Sequence, residues 1–253
     1  MSDILVRKGG GGPEIYIAPL LADLGFEGFF TGRGGGVSDG AYSSLNVGAA
    51  VGDTPAHVEE NLQRIRQSMG IKELWSARQV HGDHVSGISS WPPSRKDDAD
   101  ALVVSVPGVT ASVTVADCLP LILVDPVKKV AAVAHAGRKG TELHITRKTL
   151  LRMGSWFDCQ PVDVVAVLGP CIRACCYQVD EKTAEGFHSC CGGNGGRMLD
   201  IARANRDQLL GEGVAQRNIH DCGICTSCEK ERFFSHRGHH GTTGRFLCAV
   251  SQL

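Results

Sequence analysis

The sequence predicts a single α/β domain of the α+β kind built round a central, mixed β-sheet, and three observations point to it. Between Ala101 and Ala134 four runs dense in valine, leucine and isoleucine follow one another, broken at Pro107-Gly108 and Asp125-Pro126. On both sides of that block apolar residues recur at helical spacing. The two kinds of segment alternate without a clean strand–helix–strand repeat, so a doubly wound parallel sheet is not expected. A chain of 253 residues, 42% hydrophobic and 21% charged, can fill one sizeable core, and residues 1–253 are read as one domain.

Each element has a local reason. The glycine run Gly9–Gly12 marks residues 1–12 as a flexible entry. Phe26–Thr31 reads as a strand that opens into a glycine-rich loop, Gly32–Gly40. Thr54-Pro55 is a helix start, with threonine as cap and proline in the first turn, and Val58, Leu62, Ile65 and Met69 follow on one face. Leu74–His81 is expected as a strand, and Ala101–Ser105, Thr110–Val115, Leu119–Val124 and Val130–Ala134 as the sheet's centre. Thr141–Met153 reads as a helix, Val162–Leu168 as a strand, Glu181–His188 and Ile201–Leu210 as helices, and Arg245–Val250 as a closing strand.

Charge and composition exclude several function classes. A net charge of -1 exerts no long-range pull on nucleic acid or an anionic membrane. No stretch is long and apolar enough to span a bilayer, and Met1–Gly12 lacks the apolar centre of a secretion signal. The expected compartment is the cytoplasm. There, eleven cysteines are thiols or metal ligands rather than a disulfide framework. Nothing in the sequence fixes an oligomeric state.

Three side chains stand at the ends of apolar runs: His81 after Trp75–Val80, Cys118 after Val113–Val115, and His135 after Val130–Ala134. Strand ends are held rigidly yet open onto loops, where sites are built. Two imidazoles and one thiolate suit zinc and leave a fourth position open, as in catalytic zinc sites. The same residues also suit a thiolate–imidazole nucleophile, Cys118 with His135. The gaps of 37 and 17 residues form no local metal motif, so on spacing alone unrelated strand-end residues are the preferred reading.

Other motifs weigh less. The loop Gly32–Gly36 lacks the lysine of a phosphate-binding loop and the third glycine of a dinucleotide fingerprint, and reads as a tight turn that brings Arg33 toward the site. His57-Val58-Glu59 with Pro170-Cys171 fails the nucleobase-deaminase pattern, because Ala174 stands where the last cysteine is needed. Cys222, Cys225 and Cys228 make two Cys-x-x-Cys steps, one ligand short of a four-cysteine site; Cys171, Cys175, Cys176, Cys190 or Cys191 would have to complete it. Reduced thiols in a packed loop are the preferred reading there.

The chain resembles the laccase-domain family, labelled multicopper polyphenol oxidoreductase and also described as purine nucleoside phosphorylases with adenosine deaminase activity. The resemblance rests on Thr31-Gly32-Arg33, Ser44-Leu45-Asn46-Val47-Gly48, Gln79-Val80-His81-Gly82, Ala99-Asp100-Ala101-Leu102, Ala116-Asp117-Cys118-Leu119-Pro120 and His135-Ala136-Gly137. It continues through Gly169-Pro170-Cys171-Ile172, Cys176-Tyr177, Ala204-Asn205, Cys225-Thr226, Phe234-Ser235 and Thr243-Gly244-Arg245. It implies that His81, Cys118 and His135 bind zinc and serve catalysis. It also implies a mixed-sheet sandwich similar to the catalytic fold of cytotoxic necrotizing factor. The substrates implied are small: adenosine, inosine or methylthioadenosine, with phosphate.

Phosphorolysis needs cations at the phosphate, and Arg138 and Lys139 in the turn before the helix at Thr141 are the candidates, with Arg33 as a third. Asn46 and Gln79 are candidates for hydrogen bonds to ribose or base, and equally for satisfying buried backbone groups. Asp117 is the nearest acid for protonating a leaving amine. Two departures from the family pattern bear on substrate contacts: Arg138-Lys139 replaces Trp-Arg, and His236-Arg237-Gly238 replaces Tyr-Arg-Arg. A copper polyphenol oxidase is the weaker alternative, because ten histidines contain no His-x-His step for a trinuclear cluster. A cysteine or zinc hydrolase that edits cell-wall peptidoglycan precursors is the other.

Overall fold

The computed structural model describes residues 4–8, 10–92, 97–193 and 195–253. The first part of the chain forms β1 (Val6–Arg7), β2 (Ile15–Ile17), β3 (Phe26–Thr31), α1 (Pro55–Met69), β4 (Glu73–Ser76) and β5 (Val85–Ile88). The centre forms β6 (Ala101–Val104), β7 (Val109–Val115), β8 (Leu119–Asp125) and β9 (Val130–Ala136). Then come α2 (Arg138–Glu142), α3 (Ile145–Phe157), β10 (Val165–Leu168), α4 (Glu181–Cys191), α5 (Ile201–Gly211), β11 (Ile219–Asp221) and β12 (Phe246–Gln252).

These strands make two mixed six-stranded sheets, ordered β1-β2-β3-β12-β7-β4 and β11-β10-β8-β9-β6-β5. Helices cover the outer faces, so both faces of each sheet are buried, which is why the central strands read as continuous apolar runs. The alternation along each strand assigns the layers. On β8, Ile122 and Val124 face the other sheet, while Leu119, Leu121 and Leu123 pack with Leu150, Met153 and Phe187 of α3 and α4. On β12, Phe246, Cys248 and Val250 point into the space between the sheets, and Leu247 and Ala249 meet Ile65 and Met69 of α1. The domain is therefore one mixed α/β unit, with a helix outside one sheet and a helical layer outside the other. Among the described residues no helix is long and apolar enough to cross a membrane.

The expected helix over 55–69 forms as read: Thr54 is the N-cap, Pro55 opens the first turn, and Gly70, at φ 67°, closes it in the left-handed region. Three expectations are corrected. The strand over 74–81 ends at Ser76, and His81 lies in a turn beyond it at φ 58°. The helix over 141–153 is two helices, because His144 at φ 61° breaks it, and the first is one short turn. Val162 sits in a 3-10 turn opened by Pro161, and its strand starts at Val165. Of the entry expected to be flexible, residues 1–3 and Gly9 lie outside the described residues. Leu5 is buried, and Val6 and Arg7 pair with Ile17 and Tyr16.

The two sheets approach closely at Gly169, just past β10. An added Cβ there would overlap the ring of Phe30, which is itself fully buried. Gly169→Ala should therefore destabilise the fold by about 1–3 kcal/mol in a denaturant titration, the range of core overpacking. Gly186→Ala, in the exposed middle of α4 where a Cβ meets nothing, should stabilise it by about 0.5–1 kcal/mol.

Candidate functional site

The site lies where the chain crosses from one sheet to the other. β7 ends at Val115, β8 begins at Leu119, and only Ala116, Asp117 and Cys118 bridge them. Asp117 makes the sharp turn at φ 83°, a conformation that aspartate adopts more readily than most residues. Its carboxylate is engaged on both oxygens: Oδ1 accepts from Thr226 Oγ1 at 2.6 Å, and Oδ2 accepts from the Arg237 amide at 2.7 Å. The side chain thus ties the crossover to the loop after β11, and the residue also lines the cavity described below.

β8 and β9 pair antiparallel with Leu119 opposite Ala136 and Pro120 opposite His135, which sets Cys118 against the start of the 137–140 turn. Gly137 makes this approach possible, since a Cβ there would lie 2.7 Å from Cys118 Sγ. His81 completes the group, its ring 4.7 Å from that of His135 and nearly perpendicular to it. One ligand atom from each of His81, Cys118 and His135 falls within 4.8 Å of the other two. The three residues that the sequence set 37 and 17 positions apart are therefore brought together, and they offer a site for one metal ion.

Asp100 organises them, a role that nothing in the sequence reading assigns to it. It is fully buried, and it accepts the amide N–H groups of Val80 at 3.2 Å, His81 at 3.0 Å and Gly82 at 2.7 Å. It also lies 2.8 Å from His135 Nδ1, which donates to it. One carboxylate thus shapes the His81 turn and orients the His135 ring, leaving Nε2 to face the cluster, as carboxylates behind metal-binding histidines do. Burial works against its charge, but the His135 bond and the amides of Gly82 and Val80 outweigh it and hold its pKa below the usual value. No sequence pattern separates a buried aspartate at a strand start from an exposed one.

Electrostatics pair Cys118 with His135. Burial opposes the Cys118 thiolate, but the charge of His135 and hydrogen bonds from both histidines outweigh it, lowering the thiol pKa to about 6. Burial also opposes the His135 cation, but Cys118 and Asp100 raise its pKa to about 9. Without a metal, the pair is a thiolate and an imidazolium between those values.

The cluster forms part of the wall of a cavity of about 900 Å³, within the range of small-molecule sites. Arg138, Lys139, Tyr177, His236, Arg237 and Arg245 also line it. Arg138 is bonded to Glu142 at 2.6 Å, and Arg245 donates to the carbonyls of Thr243 and Gly244. The departures from the family pattern at 138, 139 and 236 thus fall on the cavity wall, whereas Gly238 lies outside its lining. Because α2 is a single turn, the positive charge here comes from side chains rather than from a helix dipole.

The other three candidate contact residues, Asn46, Arg33 and Gln79, all bond to the scaffold. Asn46 is fully buried, and its amide accepts from the Gly48 and Arg245 amides and donates to Asp53, so it shapes the loop beside the cavity. Arg33 is bound to the carbonyls of Ser43 and Lys230 and stacks on Phe234, outside the cavity lining. Gln79 reaches the cavity wall, but its amide donates to the Thr114 carbonyl and accepts the Thr114 N–H, in the manner of a strand partner. Tyr177 and Arg245 had only their membership of the matching segments to mark them, and Arg237 only its place within the departure at 236–238.

The lowered Cys118 pKa is testable. In metal-stripped protein, alkylation of Cys118 by iodoacetamide should titrate with a midpoint near pH 6. Asp100→Asn weakens support for the His135 cation, so the midpoint should move up toward the ordinary thiol value of about 8.5. An unmoved midpoint contradicts the coupling.

Comparison with known proteins places this site in context. Residues 27–252 match the family model described as multi-copper polyphenol oxidoreductase laccase. A Deinococcus radiodurans protein named purine nucleoside phosphorylase is 36% identical over 233 residues, 87% of each chain. Purine nucleoside phosphorylase YlmD of Geobacillus stearothermophilus is 32% identical over 244 residues, 88% of each. The mouse protein named purine nucleoside phosphorylase LACC1 is 33% identical over 238 residues, 89% of this chain but 55% of its own, so the chain spans about half the length of that relative. The crystal structure of YlmD from Geobacillus stearothermophilus superposes with a TM-score of 0.91 at 29% identity, covering 99% of both chains.

Proposed function

The chain belongs to the multi-copper polyphenol oxidoreductase laccase family, and from that premise we propose that it is a zinc-dependent purine nucleoside phosphorylase that also deaminates adenosine. The observation that carries the reading is one cavity bordered by His81, Cys118 and His135 and walled by Arg138, Lys139, Arg237 and Arg245. The names of the relatives point the same way. Free nucleosides and phosphate in the cytoplasm are the substrates it would meet.

The donor set fits a single borderline-soft ion. Two imidazoles and a thiolate of lowered pKa suit zinc, with a coordination position left for substrate. Among the described residues the other group of metal-ligating side chains is four cysteines, and neither group is the histidine-rich set of a multinuclear copper centre. When bound, zinc supplies Lewis acidity toward an electron-rich atom of the substrate.

The chain's own residues meet the remaining demands. In phosphorolysis a phosphate oxygen bonds to C1′ of the ribose as the C1′–N9 bond breaks, and the purine leaves with the bonding pair. Arg138, Lys139, Arg237 and Arg245 neutralise the phosphate and hold it in line for that displacement. In deamination a water oxygen bonds to C6 and the C6–N bond breaks, releasing ammonia. That reaction involves no phosphate, so it depends less on the cationic wall. The pairing of Cys118 with His135 also favours a second reading, a cysteine hydrolase acting on an amide such as a peptidoglycan precursor.

Product analysis separates these. Given adenosine or inosine, the enzyme should release free base only with phosphate present and form ribose 1-phosphate, while adenosine should yield inosine without phosphate. Arg138→Gln with Lys139→Gln should cut base release by about 10- to 100-fold, the loss of one or two charged contacts, and deamination far less. Base released equally fast without phosphate would make the enzyme a nucleosidase. Hydrolysis of a muropeptide precursor that survives removal of the metal would favour the cysteine reading.

A further inference from the structure

A second cysteine-rich cluster lies beside the cavity wall and plays no part in the chemistry above. The paired Cys-x-x-Cys spacing at 222, 225 and 228 is one ligand short in sequence. The fold changes its membership: Cys222 is buried in the core between the sheets, whereas Cys225 and Cys228 meet Cys175 and Cys176 from the loop after β10. The four sulfurs all lie within 4.8 Å of one another, with Cys176 Sγ 3.4 Å and Cys175 Sγ 3.6 Å from Cys228 Sγ.

These separations match the edge of a tetrahedron. With zinc–sulfur bonds of ~2.3 Å, neighbouring thiolates stand ~3.8 Å apart. The cluster is also organised as ligand loops are. Cys225 and Cys228 share one turn, in which the Glu229 amide donates to the Cys225 carbonyl at 3.0 Å. The two loops are already joined below the sulfurs: the backbones of Cys171 and Cys225 pair in an isolated parallel β-bridge, and the Thr226 amide donates to the Cys171 carbonyl at 3.1 Å. Arg173 ties the same pair of loops through Asp221 at 2.8 Å. The ligand atoms are therefore held by backbone bonds rather than gathered by chance rotamers. Arg237, from the loop after β11, donates in turn to the Gln178 carbonyl of the loop after β10 at 2.8 Å.

We infer that Cys175, Cys176, Cys225 and Cys228 form a closed structural site for one divalent zinc ion, separate from the His81–Cys118–His135 cluster. Four protein ligands leave no open position, so its contribution is mechanical. It joins the loop that carries Tyr177 and Gln178 to the loop that carries Thr226 and Arg237. Those last two residues hold the Asp117 turn, and Tyr177 and Arg237 line the cavity. Zinc here fixes one wall of the pocket and the crossover that presents Cys118.

The test uses the full chain with the first site disabled by His81→Ala and Cys118→Ala, produced with zinc and purified under reduction. Elemental analysis should find about one zinc per chain, and adding Cys175→Ser and Cys228→Ser should remove it. The unmodified chain, which avoids any folding defect of the variants, is exchanged with cobalt. It should show the thiolate-to-cobalt charge-transfer absorption and the intense visible bands of a four-sulfur tetrahedral site. The inference is overturned if the disabled chain retains no zinc while its thiols react freely with a thiol reagent. It is equally overturned if non-reducing mass spectrometry finds these cysteines oxidised in pairs, or if the cobalt spectrum carries no four-sulfur signature.

Discussion

Everything at the site depends on a single buried carboxylate. Asp100 is wholly withdrawn from water and would be costly to leave unpaired there. Its cost is offset by four N–H donors, three from the 80–82 turn and one from the His135 ring. Its backbone is engaged as well, with its amide bound to the His84 carbonyl and its carbonyl accepting the His135 amide at 2.7 Å. One residue therefore fixes the conformation of the His81 turn, the orientation of His135 and the distance between them. Through His135 it also sets the charge on Cys118.

The second constraint is topological. A chain that leaves one sheet and enters the other within three residues needs an unusual backbone, and Asp117 supplies it at φ 83°. Its carboxylate recruits Thr226 and the Arg237 amide, so the loop after β11 closes over the same point. Gly137 then lets the next strand end approach Cys118 without a side chain in between. The cavity opens here because the sheet edges, the crossover and the closing loop meet at one place, which is where rigid elements can aim side chains at a small ligand.

Much of this was legible in sequence, for reasons that vary by element. The central strands and the helix at 55–69 announce themselves by composition and capping, because both sheet faces and the inner helix face are buried. His81, Cys118 and His135 stood out as candidate ligands at the ends of apolar runs. The strand over 74–81 misled because Gln79 continues the pairing with a side-chain amide after the backbone has left the sheet. The helix over 141–153 misled because nothing in its apolar spacing reveals His144 in a left-handed conformation. For Asn46 and Arg33 the sequence leaves ligand contact and scaffold role equally open, and the scaffold groups they bond are ones a sequence cannot locate. Short strands such as Val85–Ile88 and Ile219–Asp221 are too brief for any period to show.

The central claim is that Asp100 assembles His81, Cys118 and His135 into one metal site of two imidazoles and one thiolate. X-ray absorption at the zinc edge, on protein carrying Cys175→Ser and Cys228→Ser so that only this site contributes, tests it most directly. The account predicts a shell with one sulfur at ~2.3 Å and two imidazole nitrogens at ~2.0–2.1 Å, and loss of that ordered shell in Asp100→Ala. A shell without sulfur, or an unchanged shell in the Asp100 variant, would contradict it.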